Sequence, residues 1–452
     1  MAACQVCAVS RRLLSLLLIV SAVAVLLAPA VWNGFPFVWA DTGGYLARPF
    51  ERTLEIGRSA LYGTFLAAGI SFDFWLTIAV QAALTAWMLT LSLRAHGFGS
   101  RPWYTAALIF ILTLLTSLPW YVGTLMPDIF VPLAVLGLYL LAFRRDALRR
   151  MELLGLTALV AFAIASHMAT LGLSVAVLAA FAAVRPLAAA LCLPRPALAA
   201  PAVAIAAGIA LAFLSNFAIA GRLALTPGGV HFVFGRLVQD RIVARYLADR
   251  CPDATLRLCP YRDQLPNSSD GWLWGWDSPF YKLGGADGFA PETRRIIADT
   301  LRMYPGQHGA TAARAALQQF VMVRTGEGIH PRDIEHAARA LERFGPDVMP
   351  RYRAARQQHD AYDFAWINRI HVPLALAAVT ILPFLIAAGV LGRIAPSSAA
   401  FALTVLLALI ANAAICGALS NPNDRYQSRL VWLAPLAVAI AVLARRPSTL
   451  PS

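Results

Sequence analysis

Long apolar stretches recur along this chain, and several approach or exceed the length that crosses a lipid bilayer. About 20 consecutive apolar residues span the hydrocarbon core as a helix, and lipid forces such a segment to satisfy its own backbone hydrogen bonds. The sequence therefore predicts an all-α polytopic membrane protein with about ten transmembrane helices. The predicted spans are 13–32, 72–93, 103–122, 129–143, 153–166, 171–184, 198–220, 372–391, 399–419 and 430–443.

Two of these regions leave alternatives open. The first span could be a signal peptide, because Ala28-Pro29-Ala30 resembles a small-residue cleavage site. Pro29 and the length of the apolar run favour an uncleaved anchor instead. Residues 153–184 could form one tilted helix or two short helices. Two helices are favoured because the arginine-rich loops then all fall on the same side of the membrane.

Many of the arginines that give the chain its net charge of +14 lie in short loops between the predicted spans. Arginines concentrate on one side, whereas nearly every acidic residue falls on the other, and an excess of basic residues marks the cytoplasmic side. We therefore expect a bacterial inner-membrane protein with both termini in the cytoplasm and no nucleic-acid partner. The arginines assigned to the cytoplasmic side are Arg11, Arg12, Arg94, Arg101, Arg144, Arg145, Arg149, Arg150, Arg185, Arg195, Arg393, Arg445 and Arg446.

A long polar segment, residues 221–369, separates the predicted membrane modules 1–220 and 370–452. It contains 20 basic and 16 acidic residues with aromatic residues throughout, which indicates a folded rather than a disordered chain. Apolar residues at helical spacing predict an amphipathic helix over Pro331–Phe344, and Ala310–Arg324 also has a helical pattern. We expect the polar segment to be extracytoplasmic and mainly helical.

Two features of the polar segment suggest specific contacts. Cys251 and Cys259 lie close together in sequence, and an extracytoplasmic location would permit a disulfide between them. Trp272, Trp274 and Trp276 would share one face of an extended chain. Those indoles could stack on a sugar, although anchoring at the membrane interface is the favoured interpretation. Elsewhere, the single CxxC formed by Cys4 and Cys7 cannot complete a four-ligand zinc site.

The first loop on the acidic side, residues 33–71, carries two candidate functional residues. Asp41 lies between an aromatic-rich stretch and a Gly-Gly pair. Partial desolvation there would raise its basicity and suit removal of a proton from a hydroxyl, whereas the alternative is a turn-capping Asp. Arg58 precedes the short apolar stretch 59–69 and could contact a phosphate or extend towards the membrane interface.

Further candidates lie in other loops on the same side. Asp128 leads into a span, where the helix dipole favours a carboxylate, or it faces the first-loop carboxylate across a cavity. His167 lies between two short spans and is either structural or part of a site. The loop 421–429 carries two arginines against the positive-inside tendency, which indicates an anionic partner near Arg425 and Tyr426.

The order of these residues resembles the C-type (GT-C) superfamily of membrane glycosyltransferases. The matching features are an acidic residue after the first span (Asp41), a Met-Pro-Asp element that opens the fourth span (Asp128), and an Arg-Tyr pair before the last span (Arg425, Tyr426). The resemblance covers the first seven spans and the last span, but it does not cover the polar segment. Many family members carry two adjacent acidic residues in the first loop, whereas Thr42 follows the acidic residue here.

The resemblance implies a fold and a reaction. A sugar on a polyprenyl phosphate or diphosphate would be moved to an envelope acceptor at the periplasmic face, with membrane lipids as neighbours. Asp41 would act as base, Asp128 would position the acceptor or a divalent cation, and arginines would stabilise the leaving phosphate. The residues implied in substrate binding are Arg58, Tyr45, His167, Arg425 and Tyr426.

Two other functions compete with this hypothesis. A non-catalytic protein of the same architecture could bind lipid-linked glycans during envelope assembly. A transporter or flippase is the third hypothesis, and it predicts a polar stripe inside several spans. The spans contain few polar residues, such as Gln81 and Asn412, which argues against ion-coupled transport.

Overall fold

The computed structural model describes residues 17–99, 102–226 and 228–444, and all the regular elements within these ranges are helices. The first module contains α1 (Leu17–Leu26), α2 (Ala28–Asn33), α3 (Thr42–Glu51), α4 (Ala60–Ala67), α5 (Trp75–Ala95), α6 (Pro102–Leu115), α7 (Leu118–Val122), α8 (Phe130–Phe143), α9 (Arg150–Ser166), α10 (Met168–Val184) and α11 (Ala199–Ala220). Residues 13–16 of the first predicted span, Arg11, Arg12, Arg101, Arg445, Arg446, Cys4 and Cys7 lie outside the described residues.

The remaining helices belong to the polar segment and to the second module. The polar segment contains α12 (Gly229–Gln239), α13 (Ile242–Arg250), α14 (Ser269–Trp274), α15 (Pro279–Lys282), α16 (Gly285–Gly288), α17 (Ala290–Met303), α18 (Pro305–Val321), α19 (Glu335–Phe344) and α20 (Met349–Ala354). The second module contains α21 (Phe364–Val390), α22 (Pro396–Leu419), α23 (Asp424–Val431) and α24 (Leu433–Leu443). Since α21 begins at Phe364, the last residues of the predicted polar segment belong to a membrane helix.

Within the described chain, six helices are long and apolar enough to cross a membrane. They are Trp75–Ala95, Met168–Leu187, Ala199–Ala220, Phe364–Val390, Pro396–Leu419 and Asp424–Leu443. Leu17–Leu26, Trp103–Leu115 and Pro127–Phe143 are apolar but shorter. These helices fit an all-α membrane protein, whereas the total of ten spans, the kind of membrane and the side of each terminus stay predictions.

The chain between residues 150 and 184 forms two helices rather than one. His167 separates α9 from α10 and has an extended backbone, with φ −153° and ψ 119°. A single extended residue interrupts the helical hydrogen bonding, so the two helices take independent directions. The two-helix interpretation of this region is therefore confirmed, and α9 packs along α11 and α8.

Polar side chains inside two long helices hold neighbouring segments of the chain. The amide nitrogen of Gln81 in α5 donates to the carbonyl oxygens of Val122 and Thr124, at 2.8 and 3.0 Å. In α22, the amide nitrogen of Asn412 donates to the carbonyl oxygen of Tyr426 at 2.7 Å. Buried amides of this kind are satisfied by backbone groups, so these two residues have a structural use.

The first loop lies beside the loop that precedes α8, residues 123–128, which we call the second loop. The backbone N–H of Phe37 donates to the carbonyl of Gly123, and the N–H of Leu125 donates to the carbonyl of Phe37, both at 2.9 Å. The hydroxyl of Thr42 then donates to the carbonyl of Leu125 at 3.1 Å. These bonds fix the residues that flank Asp41 against the residues that flank Asp128.

Two helices of the polar segment dock at glycines, one on helix α3 of the first loop and one on the membrane helix α22. A Cβ on Gly43 in α3 would lie 2.8 Å from the Cα of Ala337 in α19, and a Cβ on Gly417 in α22 would lie 2.6 Å from the carbonyl oxygen of Ala315 in α18. Backbones approach this closely only where a side chain is absent. The predicted amphipathic helix over Pro331–Phe344 is confirmed as α19, which begins later, at Glu335, after a 3₁₀ turn over Pro331–Asp333. Its apolar residues Ala337 and Leu341 are buried.

Gln357 is expected to be essential for the position of the first loop. This side chain is 1% exposed; its amide donates to the carbonyls of Val38 (2.7 Å) and Ile329 (3.0 Å) and accepts from the N–H of Val38 (3.0 Å). Gln357→Leu leaves those buried backbone groups unpaired, so we expect a loss of about 2–4 kcal/mol of unfolding free energy. Thermal unfolding in detergent measures this loss, with Gln264→Leu, at an exposed position, as control; equal midpoints would contradict the expectation.

Candidate functional site

A cavity of about 370 Å³ lies where the first loop, the polar segment and the start of α23 meet. The first loop contributes Trp39, Ala40, Asp41 and Arg58, and the polar segment contributes Phe232, Ser269, Asp270, Leu273, Trp274, Glu327, Gly328 and Asp333. Ser420, Asn423, Arg425 and Tyr426 complete the wall. Its volume falls within the range of about 300–1,000 Å³ that is common for ligand pockets. Four of the residues that the sequence predicts for the site line this cavity, namely Asp41, Arg58, Arg425 and Tyr426.

Asp41 lies at the cavity wall with both carboxylate oxygens engaged by arginines. Its Oδ1 lies 2.5 Å from Nη2 of Arg58, and its Oδ2 lies 3.0 Å from Nη1 of Arg425. α3 begins directly after Asp41, yet the carboxylate makes no capping hydrogen bond to that helix. The alternative interpretation as a turn-capping Asp is therefore wrong.

Arg425 joins the two predicted acidic residues. Besides its contact with Asp41, its Nε donates to Oδ1 of Asp128 at 2.9 Å. Asp128 is only 1% exposed and does not line the cavity, so it lies behind Arg425. This position allows Asp128 to orient the guanidinium, while it has no direct access to a ligand in the cavity.

Arg429 is a residue of this cluster that the sequence interpretation did not assign to the site. Its Nη1 donates to the same Oδ1 of Asp128 at 2.9 Å, and its side chain is fully buried. The available signal was spacing: residues four apart on a helix share a face, and Arg425 and Arg429 both belong to α23. The prediction that residues 421–429 form a loop is wrong from Asp424 onwards.

The electrostatics of Asp41 differ from the sequence-based expectation. Burial alone would raise its pKa, but the charge of Arg58 and then that of Arg425 outweigh burial and hold the pKa of Asp41 below its usual value. An increased basicity of Asp41 is therefore wrong for the protein without a ligand. By contrast, burial raises the pKa of Glu327, whose carboxylate accepts the backbone N–H of Arg425 at 2.7 Å.

Aromatic rings cover the two cavity arginines. The guanidinium carbon of Arg425 lies 4.4 Å from the ring centre of Trp39, and that of Arg58 lies 5.4 Å from the ring centre of Trp274. Tyr45 lies 5.7 Å from the Arg58 guanidinium on the same measure. Such contacts attract a cation and restrict its rotamers, so both guanidinium groups are held in fixed positions at the cavity.

The other predicted binding residues occupy different positions. Tyr426 lines the cavity beside Arg425. Tyr45 is buried, and its hydroxyl donates to the carbonyl of Gly57 at 3.4 Å, so it supports the wall from behind. His167 does not line the cavity. It lies close enough to Asp128 and to the two arginines of α23 to interact with their charges.

The three tryptophans of the polar segment do not share a face. α14 ends at Trp274, so the predicted extended run is wrong. Trp272 is completely buried in a separate apolar core of the polar segment, Trp274 lines the cavity, and Trp276 is 93% exposed. Cys251 and Cys259, in the same segment, are joined by a disulfide with their Cα atoms 5.7 Å apart, and they do not line the cavity.

Asp41 and the two cavity arginines are arranged as ion pairs rather than as metal ligands. Across residues 17–99, 102–226 and 228–444, no group of three or more His, Cys, Asp or Glu side chains is placed to hold a metal ion. Arginines occupy Oδ1 of Asp128 and both oxygens of Asp41. The side chains of the described site therefore do not fit the divalent cation that the resemblance leaves open.

Comparisons with protein-family models, with curated proteins and with solved structures gave no match to this chain. The features that carry most information are the carboxylate of Asp41, the two aromatic-covered arginines beside it, and the position of the cavity between membrane helices and the polar segment.

Proposed function

We propose that this protein is a glycosyltransferase of the bacterial inner membrane. It would move a sugar from a polyprenyl-phosphate-linked donor to an envelope acceptor at the periplasmic face. The observation that carries the proposal is the convergence of Asp41, Arg58 and Arg425 on one cavity next to membrane helices. A carboxylate suits proton removal from an acceptor hydroxyl, and fixed cations suit a phosphate leaving group.

The ion-paired cluster contains more arginines than carboxylates. Three arginines, Arg58, Arg425 and Arg429, pair with only two carboxylates, Asp41 and Asp128, in these described contacts. Asp270, Glu327 and Asp333 line other parts of the cavity, so the surplus of positive charge is local to the side that Arg58 and Arg425 form. A phosphate would bind on that side, where two guanidinium groups can donate to it.

The same geometry gives an order of events. The donor phosphate would replace Asp41 as the partner of Arg58 and Arg425, and burial would then raise the pKa of Asp41. Asp41 takes the proton of the acceptor hydroxyl as that oxygen forms a bond to the anomeric carbon. The bond from this carbon to the phosphate oxygen breaks, and the oxygen keeps the electron pair beside the arginines.

A non-catalytic protein that binds lipid-linked glycans is the second candidate. The observation in its favour is that both oxygens of Asp41 are already ion-paired. Thr42 occupies the position of a second carboxylate, and its hydroxyl is used in the bond to Leu125. The two candidates make opposite predictions for the turnover of an Asp41 variant.

Mass spectrometry of co-purified lipid tests the proposal. We expect polyprenyl phosphate lipids to be enriched with the wild-type protein relative to the membrane extract. Arg58→Leu should reduce that enrichment about tenfold or more, because a charge-assisted hydrogen bond to phosphate is lost. Arg262→Leu, at an exposed arginine of the polar segment, is the matched control. Bulk phospholipid alone in all three samples would contradict the proposal.

A further inference from the structure

Trp274 is placed to contact whatever group lies next to Arg58. Its indole is 40% exposed at the cavity wall, and the Arg58 guanidinium carbon lies 5.4 Å from its ring centre. The Phe232 ring lies 6.3 Å away with the two planes at 64°. Two aromatic rings therefore form a corner that opens on the cavity, directly beside a cation of the proposed phosphate site.

A carboxylate without a cation partner lies on the same wall. Asp270 accepts only a long hydrogen bond from Asn421, at 3.5 Å, among its side-chain contacts, and no cation of the described residues acts on it as a charge partner. A carboxylate repels a phosphate but accepts hydrogen bonds from hydroxyl groups. This wall of the cavity is therefore suited to a neutral group that carries hydroxyls and an apolar face, and a sugar ring has both.

We infer that Trp274, Phe232 and Asp270 form the subsite for the donor sugar, an inference that rests on the proposed function. The C–H face of the ring stacks on the indole, and its hydroxyls donate to Asp270. Since Trp274 also contacts Arg58, the sugar subsite adjoins the phosphate subsite, as a sugar bonded directly to phosphate requires. The polar segment then selects glycosylated lipid, while Arg58 and Arg425 hold the phosphate of any polyprenyl phosphate.

Binding of two lipids to the full chain in nanodiscs tests this subsite. The probes are a polyprenyl phosphate and the same lipid carrying glucose or mannose on the phosphate. We expect Trp274→Leu to weaken binding of the hexosyl lipid about tenfold, the effect of losing roughly one aromatic contact, and to leave the bare lipid unchanged. Trp274→Phe should retain most of the affinity. Trp276→Leu, two residues away and outside the cavity, should change neither affinity.

The outcomes separate the subsite from the proposed function. If Trp274→Leu binds the hexosyl lipid as the wild type does, the subsite is wrong while phosphate binding still stands. If Trp274→Leu weakens both lipids equally, Trp274 only packs against Arg58 and the subsite is again wrong. A wild type that binds only the bare lipid also overturns it. A wild type that binds neither lipid overturns the proposed function and the subsite together.

Discussion

Asp41→Asn is expected to lower transfer at least about 100-fold, the usual contribution of a positioned general base. The amide cannot accept the acceptor proton, while its size keeps the loop in place. Because the variant removes a negative charge from between Arg58 and Arg425, it should bind polyprenyl phosphate as tightly as the wild type or more tightly. Turnover of a radiolabelled polyprenyl-phosphate-linked sugar and lipid affinity, measured in the same nanodiscs, provide both values.

A matched change distinguishes this result from a general effect of lost charge. Asp263→Asn alters a carboxylate of the polar segment that is 89% exposed, and we expect it to retain wild-type turnover. Full turnover in Asp41→Asn would remove the base from the mechanism. An inactive wild type that binds the lipid would instead support the non-catalytic candidate.

Arg425→Leu is expected to have the largest combined effect on stability and binding. It leaves Asp128 with one arginine and Asp41 with one, and the loss of one partner of a buried ion pair costs about 3–5 kcal/mol. Polyprenyl phosphate binding should also be lost, since the guanidinium faces the cavity. Arg343→Leu, which removes an exposed arginine paired with Glu51, should change neither property.

A second change separates stability from binding at Arg425. Asp128→Asn and Arg429→Leu combined with Arg425→Leu remove the buried carboxylate together with both arginines that pair with it, so no buried charge is left without a partner. We expect this triple variant to recover part of the unfolding midpoint and none of the lipid binding. Recovery of both would show that Arg425 acts on the lipid only through the fold, and an unchanged midpoint in Arg425→Leu would show that the cluster adds little stability.

The sequence predicted the helical membrane architecture because apolar run length is a local property that hydropathy records directly. It predicted the last span too late, at residue 430, because polar residues fill the first turn of α23. The two arginines of α23 pair with Asp128 from a distant part of the chain, and a local window contains no information about such a partner. Arg429 was not assigned to the site because its contact with Asp128 joins two distant parts of the chain.

The contribution of the polar segment to the cavity was the least predictable feature. Trp274, Asp270 and Glu327 reach Asp41 only through tertiary packing, such as that of α18 on α22 and of α19 on α3. Their sequence neighbourhoods carry no motif that marks such contacts. The pKa of Asp41 was also misjudged, because burial was visible in the loop composition whereas the positions of Arg58 and Arg425 beside the carboxylate were not.

A cryo-EM structure of the protein in nanodiscs with a polyprenyl phosphate tests the central claim most directly. We expect phosphate density between the guanidinium groups of Arg58 and Arg425, with at least one of their contacts to Asp41 broken. Phosphate bound away from this cavity, with both contacts of Asp41 intact, would contradict the account.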